Sequence, residues 1–371
     1  MRQVRKLDWL EAPLVPARDT MLGVVPRAVL AVLRLCPGIV AAALSGCGRQ
    51  PPSVVVYTSV DDVFARPILD GFSRETGIRV DAVYDAEAVK TTGLYYRLIA
   101  EKSRPRADVF WCSEPSRMLL LEAAGMLASY TPPTATEVPA AWRSPGGAWT
   151  GLAARIRVIV YHRDRLRGSA PPRSIADLAD PRFYGEAAIS DPLFGTMATH
   201  AGALRARLGP TAMEEFFRKL KSNAVKVLPG NSVVRDRVAS GELLCGLTDS
   251  DDASVAVLHG LPIGVVFPDQ EAGFPGVEGP LGAFTFPATV GILAGAPHPE
   301  AARQLADALL RPATEEALAR SESGNLPLRE GLEGPQALQV PDPLRRMDVP
   351  WPALAQGVED SIPFLRDLFV R

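Results

Sequence analysis

Residues 53–59 read Ser53-Val54-Val55-Val56-Tyr57-Thr58-Ser59, a β-branched run that ends in two hydroxyl side chains. Such a run, with no polar alternation, is a buried strand. Asp61 and Asp62 then open a helical pattern that sets Phe64, Ile68, Leu69 and Phe72 on one face and stops at Gly77. Ile78 to Val83 is a second strand, residues 86–102 a helix, Ala107-Asp108-Val109-Phe110-Trp111 a third strand, and Arg117 to Ala124 a helix closed by Gly125. Strands alternating with helices in this way argue for an α/β fold built on a parallel sheet.

Further along, Thr150 to Tyr161 is a long β-rich stretch, and a second alternating series follows it. Strands are expected at 187–190, 225–228, 243–247, 263–267 and 284–293, and helices at 196–208, 211–221, 232–239, 300–310, 315–319 and near 360–369. The 371 residues carry 40 Lys+Arg and 42 Asp+Glu, with 47% hydrophobic residues, which is globular composition sized for about two domains. The net charge of -2 gives no reason to propose a nucleic-acid surface. No apolar run reaches the length of a spanning helix, which excludes a multi-pass membrane protein. Four Cys are too few for a disulfide scaffold. Cys112 and Cys245 sit in apolar strand-like runs and read as buried thiols or as a pair.

The N-terminal region names a compartment. Residues 22–46 are mostly small and apolar and end in Leu44-Ser45-Gly46-Cys47, the pattern of a bacterial lipobox. Residues 1–47 are then a lipoprotein signal peptide with Cys47 as the lipidated residue, and 48–53 a short polar tether. Six basic and three acidic residues precede Cys47, so the processed chain holds 34 basic and 39 acidic residues, a net of -5.

Several stretches together resemble the substrate-binding lipoproteins of bacterial ABC importers, in the ferric-iron-binding subgroup. They are Val56-Tyr57-Thr58-Ser59, Tyr84-Asp85-Ala86-Glu87-Ala88-Val89-Lys90, Ala107 to Trp111, and Arg155-Ile156-Arg157-Val158-Ile159-Val160-Tyr161. Asp191-Pro192-Leu193-Phe194-Gly195-Thr196, Val238-Ala239-Ser240-Gly241-Glu242 and His298-Pro299-Glu300-Ala301-Ala302 continue the series. The resemblance implies the two-lobe, type II periplasmic-binding-protein fold, with a ligand cleft between lobes joined by crossover strands at 153–161 and 284–293. Lobe one would be 53–154 with 286–371, and lobe two 155–285. It also implies a monomer that binds rather than turns over its ligand, is lipid-anchored on the extracytoplasmic face, and hands its cargo to a membrane permease.

In open α/β sheets ligands sit at the carboxyl ends of strands. That singles out Thr58, Ser59 and Asp61 after the first strand, Glu114 after the third, and Thr248-Asp249-Ser250-Asp251-Asp252 after the run at 243–247. Three carboxylates in four residues repel unless a cation or donors face them, and hard oxygen ligands suit Ca²⁺, Mg²⁺, Mn²⁺ or Fe³⁺. The same Asp residues also suit the first turn of the helix that follows, and the two roles are compatible. Ferric-binding members of the family place two adjacent Tyr here, and this chain has Asp251 and Asp252 instead. By resemblance Asp61, Glu114, Asp251 and Asp252 form an all-oxygen metal set, with a cation such as Fe³⁺ as cargo and no resident cofactor. Gly195-Thr196-Met197 and Asn231-Ser232 open helices whose free N–H groups suit an anion, with Arg155 and Asp249 beside them. A small anion or an organic solute such as a phosphonate is the other cargo class. GxSxG, HExxH, Walker A and GxGxxG motifs are all absent. A sensor or an enzyme on the same scaffold is the alternative of another kind.

Overall fold

The computed structural model describes residues 51–85, 91–166, 168–271 and 274–370. Cys47, the lipobox and residues 48–50 of the tether lie outside the described residues, as does 86–90 of the Tyr84–Lys90 stretch.

In chain order the strands are β1 (Ser53–Thr58), β2 (Arg79–Tyr84), β3 (Val109–Cys112), β4 (Thr150–His162), β5 (Ala187–Ser190), β6 (Lys226–Leu228), β7 (Cys245–Asp249), β8 (Ile263–Val266) and β9 (Thr285–Ile292). The helices are α1 (Asp62–Thr76), α2 (Thr92–Ala100), α3 (Pro115–Ala123), α4 (Gly195–Leu208), α5 (Pro210–Ser222), α6 (Asn231–Ala239), α7 (Ser250–Leu258), α8 (Pro299–Leu309), α9 (Pro312–Arg320) and α10 (Trp351–Phe369). The strands join in the order β2-β1-β3-β9-β4-β7-β5-β6, with β8 on the far part of β4. β1 runs parallel to β2 and β3, and β5 parallel to β6 and β7. The parallel sheet expected from the alternation is therefore present twice, and antiparallel β4 and β9 stand between the two parts.

β4 makes the join. Its residues Thr150 to Ile156 pair with β9, and Arg157 to Tyr161 pair with β7. One strand thus belongs to both halves of the sheet. The register slips between Leu152 and Ala154, where Ala153 sits at φ 52, and Ala154, still paired with Pro287, also bridges to Leu326. A bulge of this kind bends a strand and raises its twist. β9 returns beside it, and Arg157 N donates to Phe284 O at 2.9 Å as the chain enters β9.

One core cluster spans both halves, joining Tyr57, Phe110 and Met118 to Ile159, Ile189 and Phe217, and each half adds a cluster of its own. Val54, Val56, Leu69, Phe72, Val109, Leu152 and Leu305 pack together on one side, and Ile156, Val158, Val160, Val234, Val238 and Ala253 on the other. α1 stops where the sequence says it should, with Gly77 at φ 72 and its N–H on Ser73 O. Cys112 and Cys245 are free and buried, so no disulfide joins the halves.

The C-terminal helix packs against elements of both halves. α10 begins at Trp351, earlier than the helix expected near 360, because Pro352 falls in its first turn, where a missing N–H costs nothing. It lies along α4, backbone on backbone: a Cβ on Gly202 would come 2.6 Å from Val358 N, and one on Gly357 would come 2.5 Å from Gly202 O. Arg117 on α3 reaches back to Glu359 at 3.1 Å, so the same helix also holds the first half.

Gly357→Val should therefore destabilise the protein by about 1–3 kcal/mol, the usual cost of overpacking. Thermal unfolding should show a melting point several degrees lower, whereas Gln356→Val, one residue away on the exposed face of α10, should change it little.

Candidate functional site

The site starts from two arginines in a strand. Arg155 and Arg157 are two apart on β4, so both side chains leave the same face. Arg157 stands directly opposite Asp249 in the β4–β7 register. Both residues are fully buried, and Arg157 Nη1 donates to Asp249 Oδ1 at 2.6 Å. The other carboxylate oxygen accepts from Thr196 Oγ1 at 2.9 Å, Asn231 Nδ2 at 3.0 Å and Arg155 Nη1 at 3.2 Å. Four donors meet the roughly four acceptor positions of a carboxylate. Asp249 stands at the N-cap of α7 yet makes no side-chain cap bond there, since it is spent on the arginines. Arg157 donates further to Asn231 Oδ1 at 2.9 Å and Leu247 O at 3.3 Å, and Ser190 Oγ closes the set on Asn231 Oδ1 at 2.7 Å.

Arg155 links the halves. Its Nη1 also reaches Asp251 at 3.0 Å, its Nη2 donates to the carbonyl of Ser113 on the opposite side, and its guanidinium lies 5.1 Å from the Phe286 ring centre. Burial alone would push its pKa down, but Asp251, Asp249 and Asp61 outweigh that and hold it above the ordinary arginine value. Asp252 accepts from Arg235 at 3.4 Å and Thr248 Oγ1 at 3.2 Å. Burial again pulls Arg235 down, and hydrogen bonding to Asp236 with the charge of Asp252 raises it overall.

These groups wall a cavity of about 300 Å³. Of the residues singled out from sequence, Asp61, Arg155, Gly195, Thr196, Asn231, Ser232, Asp249, Asp251 and Asp252 line it. Carboxylate oxygens of Asp249, Asp251 and Asp252 come within 4.8 Å of one another. α4 and α6 both start at this cavity. Phe194 and Gly230, their N-caps, make no side-chain cap bond, so the first-turn N–H groups are left to the cavity.

Four expected residues sit elsewhere. Glu114 is fully buried as the N-cap of α3, taking Ser116 N at 2.5 Å and Thr199 Oγ1 at 2.7 Å, with Pro115 beginning the helix behind it. Capping has drawn it off the cavity wall. Thr58 turns back to Val60 N at 3.1 Å, Ser59 bonds Ser113, and Met197 Sδ accepts from Arg157 within the floor. Ser113, Asp191 and Phe194, next to the expected positions, line the cavity too, and Thr91, Ser190, Pro229 and Gly230 line it without having been singled out. Arg157 and Arg235 were missed as partners of the acids. An arginine inside an apolar strand was the available signal for Arg157, because a buried charge needs a buried partner.

His200 lies behind this floor on α4, stacked on Phe284 at 5.1 Å, with neither ring nitrogen hydrogen-bonded. Burial, and then the charge of Arg157, lower its pKa well below 6.5. The unfolded chain therefore binds a proton near pH 6.5 that the folded chain refuses, and stability falls as pH drops below that value. Burial raises Asp269 to about 6, which acts in the opposite direction. The His200 effect should thus be read by difference: His200→Phe, measured by urea unfolding between pH 7.5 and 5.5, should lose less stability on acidification than the parent protein. Removing one partner of the buried pair is the stronger test of the floor. Arg157→Met should cost about 3–5 kcal/mol, since it strands Asp249, and Arg157→Met with Asp249→Asn should recover part of that loss.

Among the described residues no helix is long and apolar enough to cross a membrane. Residues 105–356 match the family model described as bacterial extracellular solute-binding protein. The chain is 29% identical over 194 residues to the Fe(3+)-binding periplasmic protein of Serratia marcescens, covering 52% of this chain and 56% of that one. It is 27% identical over 217 residues to the major ferric iron-binding protein of Neisseria gonorrhoeae, covering 57% and 63%. The matches thus span somewhat over half the length of these relatives. Among solved structures, iron-bound HitA from Pseudomonas aeruginosa superposes with a TM-score of 0.75 at 22% identity, over 86% of this chain and 100% of that one. AfuA from Actinobacillus pleuropneumoniae, with fructose-6-phosphate bound, gives 0.75 at 18% identity, over 86% and 99%. At such identities these structures speak to the fold, and they agree with the two-lobe type II arrangement built around β4 and β9. By the extent of the family match, the chain belongs to the bacterial extracellular solute-binding proteins.

Proposed function

We propose that this protein is the extracytoplasmic receptor of an ABC importer, that it captures a hard metal cation such as ferric iron in the cavity at β4, and that it passes this cargo to a membrane permease. The observation that carries the reading is the convergence of three carboxylates within 4.8 Å on one wall, with Asp61 on the opposite lobe lining the same cavity. The ferric-binding relatives support the choice of metal. In this reading Asp251, Asp252 and Asp61 are the metal ligands. Asp249 is the fixed base that holds Arg155 and Arg157 beside them. Carboxylate oxygen suits a hard cation, and it replaces the phenolates that the resemblance would supply. The protein acts as a monomer by binding and release, with no chemical turnover. Cys47 anchors it by its lipid to the outer face of the membrane.

A second cargo class has its own observation. The uncapped starts of α4 and α6 and the cation of Arg155 meet in the same cavity, which is how a fold prepares for an oxyanion. AfuA, with its bound sugar phosphate, has the same fold.

The test is a thermal-shift screen on protein unfolded and refolded to strip carried-over cargo. Fe³⁺ supplied as citrate, Fe²⁺, Mn²⁺, Ca²⁺ and Mg²⁺ form one panel, and phosphate and phosphonates without metal form the other. A ligand at 100 times its Kd adds about 2.7 kcal/mol of stability, which is readily measured. Fe³⁺ should give the largest shift, and Asp251→Ala with Asp252→Ala should abolish it. A shift with the anions alone would replace the cation by an oxyanion as cargo.

A further inference from the structure

The cavity has a side chamber of about 30 Å³, which shares Asp61, Ser113, Arg155 and Asp251 with it. Its walls are mostly apolar: Val60, Phe64, Leu152 and Leu318. Ser59 and Arg155 line it too but donate to Ser113 and to Asp249, Asp251 and Ser113 O, which leaves the Ser113 hydroxyl, Trp111 and Asn325 as further donors. Trp111 lines the chamber, is fully buried, and its indole Nε1–H has no hydrogen-bond partner. Asn325 adds a carboxamide whose Oδ1 already accepts from Ser323 at 2.8 Å.

A buried indole N–H left unmet costs about what a lost hydrogen bond costs, and such groups are rare in folded proteins. The backbone of Trp111 is fixed between Thr58 and Val290 in the sheet, so the ring cannot be re-aimed by a small shift of the chain. The volume holds about two water-sized atoms. Apolar walls beside an unmet donor suit a short carbon arm that ends in an acceptor oxygen. A bare ion would leave both the walls and the N–H unused.

We propose that the side chamber is a second compartment of the cargo site, that it takes a two-atom arm bearing a hydroxyl or carbonyl oxygen, and that Trp111 Nε1 donates to that oxygen. The inference rests on the cavity being the cargo site and deepens that reading: the cargo is an oxyanion, or the metal complex of one, that carries an organic arm.

Isothermal titration of the full chain with three probes tests it, each probe alone and with Fe³⁺: inorganic phosphate, ethylphosphonate and 2-hydroxyethylphosphonate. The first has no arm, the second an arm without an acceptor, and the third both. Wild-type protein should bind 2-hydroxyethylphosphonate about fivefold more tightly than ethylphosphonate, the usual worth of one hydrogen bond. Trp111→Phe should erase that difference and leave phosphate binding unchanged. Ala288→Val narrows the same chamber from β9 without touching the donor. It should weaken both phosphonates against phosphate, so the test survives should Trp111→Phe fold poorly. Equal affinity for the three probes in wild-type protein, or a hydroxyl preference that persists in Trp111→Phe, would overturn the proposal, leaving the chamber to a structural water only. No binding of any probe while Fe³⁺ alone still binds would overturn this inference and leave the cation reading standing, and no binding of Fe³⁺ or of any probe would overturn both.

Discussion

The buried pair of Arg157 and Asp249 is the constraint on which the site depends. It joins the crossover strand to the first residue before α7 and recruits Thr196 and Asn231 from the starts of two further helices. Four segments far apart in sequence therefore share one carboxylate. A charge pair removed from water gives little net stability unless its remaining donors and acceptors are met, and here most of them are. Arg157 Nε is the exception. What the pair provides is position. With Asp249 fixed, Asp251 and Asp252 follow on the first turn of α7 and are aimed at the cavity, and Arg155 is held against them.

The local pattern made much of the fold legible. The β-branched run at 53–57 and the short apolar run at 187–190 became strands, and the pattern closed by Gly77 became α1. Strand-end placement was enough to bring Asp61, Gly195, Asn231 and the Asp249–Asp252 group to one cavity. What stayed hidden was the competition for each side chain. Glu114 occupies a strand end like the others, but Pro115 behind it starts a helix, and the carboxylate turns back to cap it. Asp249 looked like one acid among three until donors 18 to 94 residues away took up its oxygens. The long reach of α10 was hidden too, because its early turn begins with a proline and its closest contact is made by two glycines.

Charge balance at the cavity follows from the same geometry. Asp249, Asp251 and Asp252 are met by Arg155, Arg157 and Arg235, so the acidic wall carries its own counter-charges. Arg155 is the member placed between the two halves, with Ser113 O on one side and two carboxylates on the other. It both screens the acids from one another and faces whatever enters, which lets one cavity hold cationic and anionic parts side by side.

The two strands that pass between the halves run side by side and pair from Thr150 to Ile156. Such a ribbon behaves as a leaf spring. It flexes easily out of its own plane, and the slipped register at Ala153 gives it a weak point for doing so. It resists shear within the plane, because sliding would break every rung of the ladder together. Any relative motion of the halves that this ribbon allows is a rocking and not a slip. Asp249 and Arg157 lie on the same side of the bend, so such a motion would leave them opposite one another. The span that changes is the one from Asp61 to Asp251, so the mouth varies in width while the floor remains a rigid datum.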